Sequence, residues 1–310
     1  MVGVTGGSGF LGRRLTRQLV AAGASRVVVL SRTANSLTEP DISPVVQHVR
    51  ADVLFEPALE EILRGCGTVF HLAALTDVSQ SFLHPERYWE TNVRGTIRVL
   101  EACRKAEVGH FVYASTGLVY GVPEQLPVTE NHPIRPLSVY AASKFAGEAA
   151  VQGHVAAFGM RGTAVRLTNF YGADSGPGTV IGRAISQAMT GGPIQLRNLT
   201  PVRDWIYVDD AVGGLLRLAA LPIEPAGYRV GNVGSGRGIK IQELAETLAG
   251  VATRLGFGNI QVASPTETTP ERVPAVVLDN KFLKAMTGWI PAIGLEQGLT
   301  FSLQERRIVI

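Results

Sequence analysis

The stretch Val2–Gly12, VGVTGGSGFLG, decides the fold of this chain. It combines a short apolar strand, a turn with glycines at positions 6, 9 and 12, and the approach to a helical pattern over Arg13–Ala22. Gly6 and Gly9 have no Cβ to keep a phosphate oxygen from the backbone, and the helix N-terminus that follows carries a partial positive charge. Gly12 lets helix and strand pack closely. The stretch predicts a dinucleotide site, and the alternative is a structural glycine turn.

Length and composition narrow the class of protein. The chain has 310 residues, of which 45% are hydrophobic, enough for one large or two moderate domains. No apolar run approaches the roughly 20 residues that span a bilayer, and no signal peptide precedes the first strand, so we expect a cytoplasmic protein without a membrane partner. Cys66 and Cys103 match no pattern of metal ligands or disulfides, and we expect no metal. The net charge of +3 comes without a basic block interleaved with aromatic residues, which argues against a nucleic-acid partner.

Short apolar runs alternate with helical patterns along the first half of the chain. Strands are predicted at 26–30, 45–51, 68–72 and 110–115, with helices between them. This alternation predicts an α/β fold with a doubly wound parallel sheet of the Rossmann type. Such a sheet binds ligands beyond the carboxyl ends of its strands. We therefore expect the residues at these strand ends to lie in one cleft, namely Thr5, Ser31, Asp52, Ala73 and Ser115.

The end of the second predicted strand bears on the choice of cofactor. A carboxylate at this place binds the adenosine ribose of NAD, whereas an arginine accommodates the 2′-phosphate of NADP. The strand ends at Ser31-Arg32, where no carboxylate stands. Arg32, with help from Arg13, therefore favours NADP(H). If Arg32 is only a solvent-exposed residue at the end of the strand, NAD is the alternative cofactor.

Small residues follow the fourth predicted strand, in HLAA at 71–74. Ala73 and Ala74 leave room for a flat cofactor to lie across the strand ends. His71 has two interpretations. It is either a catalytic base or a half-buried histidine beside the cofactor, and we favour the second.

A tyrosine and a lysine stand one helical turn apart behind the fifth predicted strand. Tyr140 and Lys144 lie at i and i+4 of a helical pattern, so their side chains share a face. An ammonium beside a phenol favours the phenolate and lowers a pKa that is otherwise near 10. The tyrosine then exchanges a proton with an alcohol or ketone near neutral pH, and the hydroxyl of Ser115 or Thr116 holds the same substrate oxygen. The alternative is a surface pair without a function.

A series of motifs runs along the chain in a fixed order: TGGSGFLG (5–12), HLAA (71–74), TNVRGT (91–96), ASTGLVYG (114–121), YAASK (140–144), RLTNFYG (166–172) and VRDWIYVDD (202–210). In these motifs the chain resembles the extended short-chain dehydrogenase/reductase family, in its branch of nucleotide-sugar epimerases, dehydratases and 4-ketoreductases. The motifs span nearly the whole length, so the resemblance is specific for fold and general chemistry.

The resemblance implies roles for single residues. Tyr140 would be the acid/base, Lys144 would bind the nicotinamide ribose and tune Tyr140, and Thr116 would polarise the substrate carbonyl. Asp52 would bind the adenine amino group, and Asn92 would support the site more than react. Together with the glycine turn and Arg32, this gives an expected cofactor site of Gly6, Gly9, Phe10, Leu11, Arg32, Asp52, Val53, Leu72, Ala73, Ala74, Asn92, Ser115, Tyr140 and Lys144. The expected site for a nucleotide sugar, in which Arg203 supplies charge to a phosphate, is Ser115, Thr116, Asn169, Arg203 and Arg272.

Two departures from the family pattern bear on the reaction. Dehydratases of the family carry an Asp-Glu pair directly after the catalytic threonine, and here Gly117 and Leu118 stand at those positions. Loss of water is therefore disfavoured. Near the C-terminus the family often has an Arg-Pro-Gly-Asp-like segment whose arginine grips a second phosphate. This chain has Thr269 in its place, and Arg272, three residues later, is the expected substitute.

We expect two domains. Residues 1–168 form the dinucleotide-binding domain, and 203–233 return to it. Residues 169–202 and 234–310 form a smaller C-terminal α/β domain for the substrate, with helices over 180–190, 241–250 and 280–287 and loops elsewhere. The glycine-rich segment 231–236 is predicted to be a turn at the domain junction and not a second nucleotide site.

The leading functional prediction is an NADPH-dependent reductase of a 4-keto nucleotide sugar, because a cofactor that is consumed usually comes from the phosphorylated, reduced pool. The close alternative is a nucleotide-sugar 4-epimerase, which uses the same residues and retains its NAD. A reductase of an apolar ketone and a redox-sensing NADP-binding protein are two further hypotheses. By resemblance we also expect a homodimer through the helices around 91–105 and 141–155.

Overall fold

A computed structural model of the chain describes residues 1–33, 44–263 and 272–309. The strands of this part of the chain, in order, are β1 (Val2–Thr5), β2 (Val27–Ser31), β3 (Val46–Arg50), β4 (Thr68–His71), β5 (His110–Thr116), β6 (Arg161–Leu167), β7 (Asn169–Tyr171), β8 (Ile194–Gln195), β9 (Val202–Tyr207), β10 (Tyr228–Val233), β11 (Gly238–Lys240), β12 (Val262–Ala263) and β13 (Ala275–Val276). The helices are α1 (Phe10–Ala21), α2 (Leu59–Leu63), α3 (Val78–Leu83), α4 (Pro85–Tyr88), α5 (Gly95–Lys105), α6 (Val139–Phe158), α7 (Val180–Met189), α8 (Val208–Ala220), α9 (Ile241–Arg254), α10 (Lys281–Thr287) and α11 (Leu295–Val309).

Seven of the strands form one sheet in the order β10-β6-β5-β4-β1-β2-β3. β1 pairs in parallel with both β2 and β4, and β4 pairs in parallel with β5. The direction of winding changes between β1 and β4, which is where a doubly wound sheet forms its ligand crevice. The predicted Rossmann-type sheet is confirmed.

The inner strands of this sheet are buried on both faces. Every residue of β2 and of β5 is buried, as the continuous apolar runs of a parallel sheet require. Cys66 and Cys103 lie in the core, where burial raises the pKa of both thiols, so neither is a reactive thiolate. Among the residues described, no helix combines the length and the apolarity needed to cross a membrane.

The chain divides into two compact units. Unit 1 consists of Met1–Val119, Pro136–Arg166 and Leu215–Gly231, and unit 2 of Tyr120–Arg135, Leu167–Gly214 and Asn232–Ile310. The segment that returns to unit 1 is shorter than the expected 203–233, and unit 2 also includes the segment 120–135. The assignment of cofactor and substrate to the two units stays a prediction.

Unit 2 contains a small sheet in the order β11-β9-β13, with β7 paired to β9. Sequence analysis predicts loops after residue 287, but the chain forms helix α11 there. Gly298 obscures the helical pattern because glycine lowers helix propensity. A Cβ at Gly298 would lie 2.3 Å from the Tyr171 hydroxyl oxygen, so this glycine serves close packing and does not end a helix.

Helix α6 carries the expected acid/base and packs directly on β5. It begins after Ser138, whose hydroxyl accepts a hydrogen bond from the Ala141 amide at 3.1 Å, and it ends at Gly159 in the left-handed conformation. A Cβ at Gly147, in the middle of the helix, would lie 2.1 Å from the hydroxyl oxygen of Tyr113 on β5. Gly147 therefore sets the distance between helix and sheet.

We expect Gly147→Ala to lower the free energy of unfolding by about 1–3 kcal/mol, because the new methyl group forces α6 or Tyr113 to move. The matched control is Gly250→Ala in α9, where the atom nearest to a new Cβ is Arg254 Nη1 at 3.5 Å. Alanine should raise stability there by about 0.5–1 kcal/mol. Urea unfolding measures both variants, and equal stability changes would contradict the role of Gly147.

Candidate active site

The glycine turn between β1 and α1 is closely packed. Gly6 has a φ of +70°, and a Cβ there would lie 2.7 Å from the backbone nitrogen of Ala73. A Cβ at Gly12 would lie 2.5 Å from the carbonyl oxygen of Gly6. Gly12 thus lets α1 pack on the turn, and Gly6 is required both by its own conformation and by the chain that follows β4.

The amino end of α1 has the properties of an anion site. The helix begins at Phe10 with Gly9 as its N-cap, and no side chain of the described residues caps it. Its first turn, with Leu11 buried in the core, contains no acidic residue. The first N–H groups of a helix have no acceptor within the helix, and the dipole makes this end positive. These groups fit the pyrophosphate of a dinucleotide.

The residues expected at the adenosine end follow β2 and β3. Arg32 directly follows β2 and is exposed. Asp52 is half-buried, and its Oδ1 accepts a hydrogen bond from the Leu54 amide at 2.9 Å, while Val53 is buried. The segment Ser31-Arg32-Thr33 contains no carboxylate. A contact of Arg32 with the adenosine ribose or its phosphate stays a prediction.

The turn after β4 lies beside the glycine turn. The Leu72 amide donates to the carbonyl oxygen of Thr5 at 3.1 Å, and Leu72, Ala73 and Ala74 are all half-buried. The short side chains of Ala73 and Ala74 leave room for a flat ligand at the point where the sheet changes its direction of winding. Together with the glycine turn, these residues fit a dinucleotide.

Asn92 supports this turn from a neighbouring helix. It lies in a π-helical turn over Trp89–Arg94, and only 1% of the residue is exposed. Its Oδ1 accepts from the Leu75 amide at 2.8 Å, and its Nδ2 donates to the Leu75 carbonyl and the Ser143 hydroxyl, both at 3.0 Å. Both amide hydrogens are thus used within the protein. This geometry fits the supporting role of Asn92 and not the direct cofactor contact that we also expected.

His71 is fully buried, so the prediction that it is only half-buried is wrong, while its place beside the cofactor stays a prediction. Its Nδ1 lies 2.7 Å from the Thr5 hydroxyl and its Nε2 3.0 Å from the Thr96 hydroxyl. Because the Thr96 hydroxyl donates to the Asn92 carbonyl at 2.6 Å, it accepts from Nε2, which assigns the neutral Nε2–H tautomer. Burial lowers the pKa of His71 to about 3, and the charge of Lys144 adds to this effect. His71 is therefore a structural residue and not a catalytic base.

The expected catalytic side chains meet between β5 and α6. Thr116 is the last residue of β5, and its side chain is hydrogen-bonded to the Tyr140 phenol. Tyr140 and Lys144 are 9% and 3% exposed, which excludes a surface pair. The Lys144 Nζ lies 4.2 Å from the centre of the Tyr113 ring, in a cation–π contact. The i, i+4 spacing thus places phenol and amine on one buried helix face.

The pKa values of this pair differ from the expectation. Burial raises the pKa of Tyr140 to about 12, and the hydrogen bond with Thr116 opposes the shift only in part. Burial lowers the pKa of Lys144 to about 7, against the charge of Glu148. The prediction of a lowered Tyr140 pKa is wrong for the protein by itself, because desolvation outweighs the hydrogen bond from Thr116. The phenol keeps its proton at neutral pH unless further positive charge is bound beside it.

Sequence analysis missed a buried ion pair behind the catalytic side chains. Glu148, one turn beyond Lys144 on α6, is 2% exposed and pairs with Arg166 of β6 at 2.7 Å. The Ser115 hydroxyl donates to the same carboxylate. The Ser115 proton is thereby engaged within the protein, so the expected contact of the Ser115 hydroxyl with a substrate oxygen stays a prediction. The sequence does hold a signal, because Tyr140, Lys144 and Glu148 repeat at a spacing of four residues.

The positions directly after Thr116 carry no acid or base. Gly117 and Leu118 begin a 3-10 turn over Gly117–Tyr120. The Leu118 amide donates to the Thr116 hydroxyl oxygen at 3.2 Å and so orients this hydroxyl. Neither of these two positions has a side chain that can transfer a proton, in agreement with the expectation from the sequence.

The residues expected to bind a sugar diphosphate lie in unit 2. Asn169 begins β7, which pairs with the strand β9 that carries Arg203. Both side chains are half-buried, and Arg203 Nη1 donates to the backbone carbonyl of the preceding residue at 3.0 Å. Arg272 is exposed on the segment before β13. Thr269 lies outside the described residues.

The glycine-rich segment 231–236 binds an anion from within the protein. The fully buried carboxylate of Asp204 accepts hydrogen bonds from the amides of Ser235 at 2.9 Å and Gly236 at 3.3 Å. A Cβ at Gly234 would lie 2.4 Å from Asp204 Oδ2. The amides of this turn are thus occupied by a carboxylate, which excludes a second nucleotide site there.

The fold and this site define a class: enzymes that bind a dinucleotide at a glycine turn and transfer a proton with a tyrosine beside a lysine. Comparison with known proteins agrees with this class. The model of the NAD-dependent epimerase/dehydratase family matches residues 2–234. A UDP-glucose 4-epimerase of Streptomyces lividans is 31% identical over 309 residues, covering 93% of this chain and 91% of the relative. The chain therefore belongs to the NAD-dependent epimerase/dehydratase family.

Solved structures are similar over the whole chain. The UDP-glucose 4-epimerase of Thermus thermophilus in complex with NAD has a TM-score of 0.87 at 30% identity, covering 100% of this chain and 99% of that one. MoeE5 in complex with UDP-glucuronic acid and NAD has a TM-score of 0.85 at 28% identity, with the same coverage. The resemblance found in the sequence is thereby confirmed.

The neutral buried state of His71 predicts a pH dependence of stability. Its folded pKa of about 3 lies below the unfolded value of 6.5, so the unfolded chain binds the extra proton and stability falls as the pH drops below 6.5. Between pH 7 and pH 5 this loss is about 2 kcal/mol. We expect His71→Gln to remove that part of the loss, measured by urea unfolding at both pH values. His84→Gln is the control, because this side chain is exposed and should keep the wild-type pH dependence. An unchanged pH dependence in His71→Gln would contradict the assignment.

Proposed function

We propose that this chain is a UDP-sugar 4-epimerase that retains NAD. The observation that carries the proposal is the buried phenol of Tyr140, hydrogen-bonded to Thr116, together with the absence of an acid or base at the two positions after Thr116. Epimerisation at C4 needs one such group, because the proton that leaves the C4 hydroxyl returns to the same oxygen. Elimination of water needs an additional acid and base. Gly117 and Leu118 supply neither, so the geometry favours the epimerases over the dehydratases of the family.

The relatives reverse the order of our two leading predictions. The similar proteins described above are named as 4-epimerases or were solved with NAD, which supports the retained-NAD epimerase over the NADPH-dependent 4-ketoreductase. The reductase stays the second candidate because of Arg32, which stands at the end of β2 without a carboxylate beside it.

The residues that would hold NAD are on unit 1. The glycine turn and the amino end of α1 fit the pyrophosphate, and Asp52 would bind the adenine. When bound, NAD supplies a nicotinamide ring that takes the C4 hydrogen with its electron pair and gives it back. In unit 2, Asn169 and Arg203 would bind the diphosphate of the sugar nucleotide, with Arg203 supplying the charge.

The proton steps follow from the site geometry. The Thr116 hydroxyl holds the C4 oxygen of the sugar, and Tyr140 takes the proton of the C4 hydroxyl as the carbon is oxidised to a ketone. The raised pKa of Tyr140 means that this step needs positive charge beside the phenol. Protonated Lys144, one helical turn along α6 from Tyr140, would supply this charge. In the reverse step, Tyr140 returns the proton to the same oxygen while the opposite face of C4 is reduced.

We expect the purified protein to carry NAD and to interconvert UDP-glucose and UDP-galactose without added cofactor. Tyr140→Phe should lower kcat by about 10²–10⁴-fold, because the proton has no other acceptor, and should still carry NAD. Mass spectrometry of the denatured protein measures the bound dinucleotide, and product chromatography measures kcat.

The matched control pair is Thr116→Val and Thr116→Ser. Valine removes the hydroxyl at nearly constant shape and should lower kcat, whereas serine keeps the hydroxyl and should retain most of it. Protein that carries no NAD and oxidises added NADPH in step with reduction of a 4-keto sugar nucleotide would contradict the epimerase and favour the second candidate.

We also propose a homodimer through α5 and α6. These helices expose the apolar side chains of Ile97 and Phe145, which are 40% and 37% exposed. The same face of α6 carries small exposed residues at Ala149 and Gly153, over which a second helix packs closely.

Light scattering should give twice the mass of one chain, 33.0 kDa, for the wild type. Phe145→Glu should give a monomer, because a charge in a helix interface is costly to desolvate. Phe55→Glu is the control, since Phe55 is 75% exposed outside these helices and the variant should stay dimeric. A monomeric wild type would contradict the proposal.

A further inference from the structure

The Lys144 amine is buried among groups from three elements. His71 of β4 faces it as a neutral imidazole, and the ring of Tyr113 on β5 lies under its Nζ at 4.2 Å. On its own helix, Tyr140 precedes it by one turn and Glu148 follows it by one turn. Of these neighbours, Glu148 is the one carboxylic acid. The two tyrosines could carry a negative charge only if their buried phenols lost a proton. An amine in such a place loses its proton readily unless an anion is close by.

The Glu148 carboxylate is held in place by two other elements. Arg166 of β6 donates to it twice, from Nη2 to Oε2 at 2.7 Å and from Nε to Oε1 at 3.1 Å. The Ser115 hydroxyl of β5 donates to Oε1 as well. Tyr228 of β10 lies near enough for the Glu148 charge to raise the pKa of its phenol. A forked guanidinium contact of this kind fixes a carboxylate in both position and orientation.

We propose that Glu148 is a positioning residue whose fixed carboxylate is the counter-charge that keeps the Lys144 amine protonated beside Tyr140. The inference rests on the proposed function in one respect: that function requires the Lys144 ammonium to assist the proton transfer of Tyr140. Residues four apart on a helix have Cβ atoms about 5–6 Å apart, close enough for a strong interaction between charges in a protein interior. Arg166 and Ser115 hold the carboxylate in place, so it favours the ammonium through its field.

The expected consequence of losing Glu148 has a definite sign. Without the carboxylate, only the cation–π contact with Tyr113 offsets the desolvation of the amine, and the positive charge of Arg166 is no longer balanced. The pKa of Lys144 should then fall by about one unit or more. At pH 7 most of the amine would be neutral, and it would no longer lower the pKa of the phenol beside it.

The test is the titration of Lys144 in full-length protein labelled with ¹³C-lysine. NMR follows the Cε signal against pH, and Lys144→Met identifies the signal by its loss. Glu148→Gln should lower the pKa of Lys144 by about one unit or more, whereas Glu148→Asp keeps the charge and should restore most of it. If Glu148 had only a structural role, Glu148→Asp should disturb the site more than Glu148→Gln. Aspartate is one methylene group shorter and leaves a cavity, whereas glutamine keeps the size of glutamate.

If Glu148→Gln does not fold because Arg166 is left unpaired, the double variant Glu148→Met/Arg166→Met decides, since an apolar replacement of a buried ion pair is often tolerated. It should lower the pKa of Lys144 as well. A folded variant without the carboxylate and with an unchanged Lys144 pKa would overturn the proposal. The titration needs no substrate, so a lowered pKa in a protein that does not epimerise UDP-sugars would reject the proposed function alone. In the holoenzyme, Glu148→Gln should also shift to lower pH the alkaline limb on which kcat falls.

Discussion

The close packing of helix α6 on strand β5 is the constraint on which the active site depends. Gly147 lets the helix approach the Tyr113 side chain, and the Tyr113 hydroxyl donates to the Lys144 carbonyl at 3.3 Å. A second contact that holds α6 is the hydrogen bond that Asn92 donates to Ser143 of this helix at 3.0 Å. These contacts fix which face of α6 is turned to the sheet. They explain why Tyr140 and Lys144 are buried although both carry polar groups.

Burial shifts the pKa values of these two groups in opposite directions. Desolvation disfavours the phenolate of Tyr140 and the ammonium of Lys144 alike, so each group prefers its neutral form. The two charges become favourable only when they stabilise each other or when a further charge is bound. A site of this kind couples proton transfer to an occupied cofactor site. The buried Glu148–Arg166 ion pair belongs to the same cluster.

The sequence predicts those features that local pattern controls. The glycine turn, the alternation of strands and helices and the i, i+4 pair of Tyr140 and Lys144 follow from spacing and residue type, and the structure agrees with them. Features that depend on contacts between distant segments do not follow. The burial of His71, the raised pKa of Tyr140 and the ion pair of Glu148 with Arg166 all arise where strands and helices meet. Desolvation, which decides these cases, is a property of the packed protein and not of the motif.

Helix α11 is another feature that the sequence pattern alone does not predict. Glycine inside a helix normally weakens it, so the pattern around Gly298 suggests a loop. The need for Gly298 becomes clear only from the Tyr171 side chain that it packs against, which stands far away in the sequence. The Asp204 carboxylate that fills the glycine-rich segment 231–236 is a similar case, because the segment alone resembles a phosphate loop.

The central claim is that one phenol and one retained cofactor act on C4 of the sugar. Turnover of UDP-glucose carrying deuterium at C4 tests it most directly, with the product examined by NMR and mass spectrometry. The account predicts that the epimerised sugar keeps the deuterium at C4, and that the same reaction in D₂O with unlabelled substrate introduces no deuterium on any carbon. Loss of the C4 label, or solvent deuterium on the sugar carbons, would contradict it.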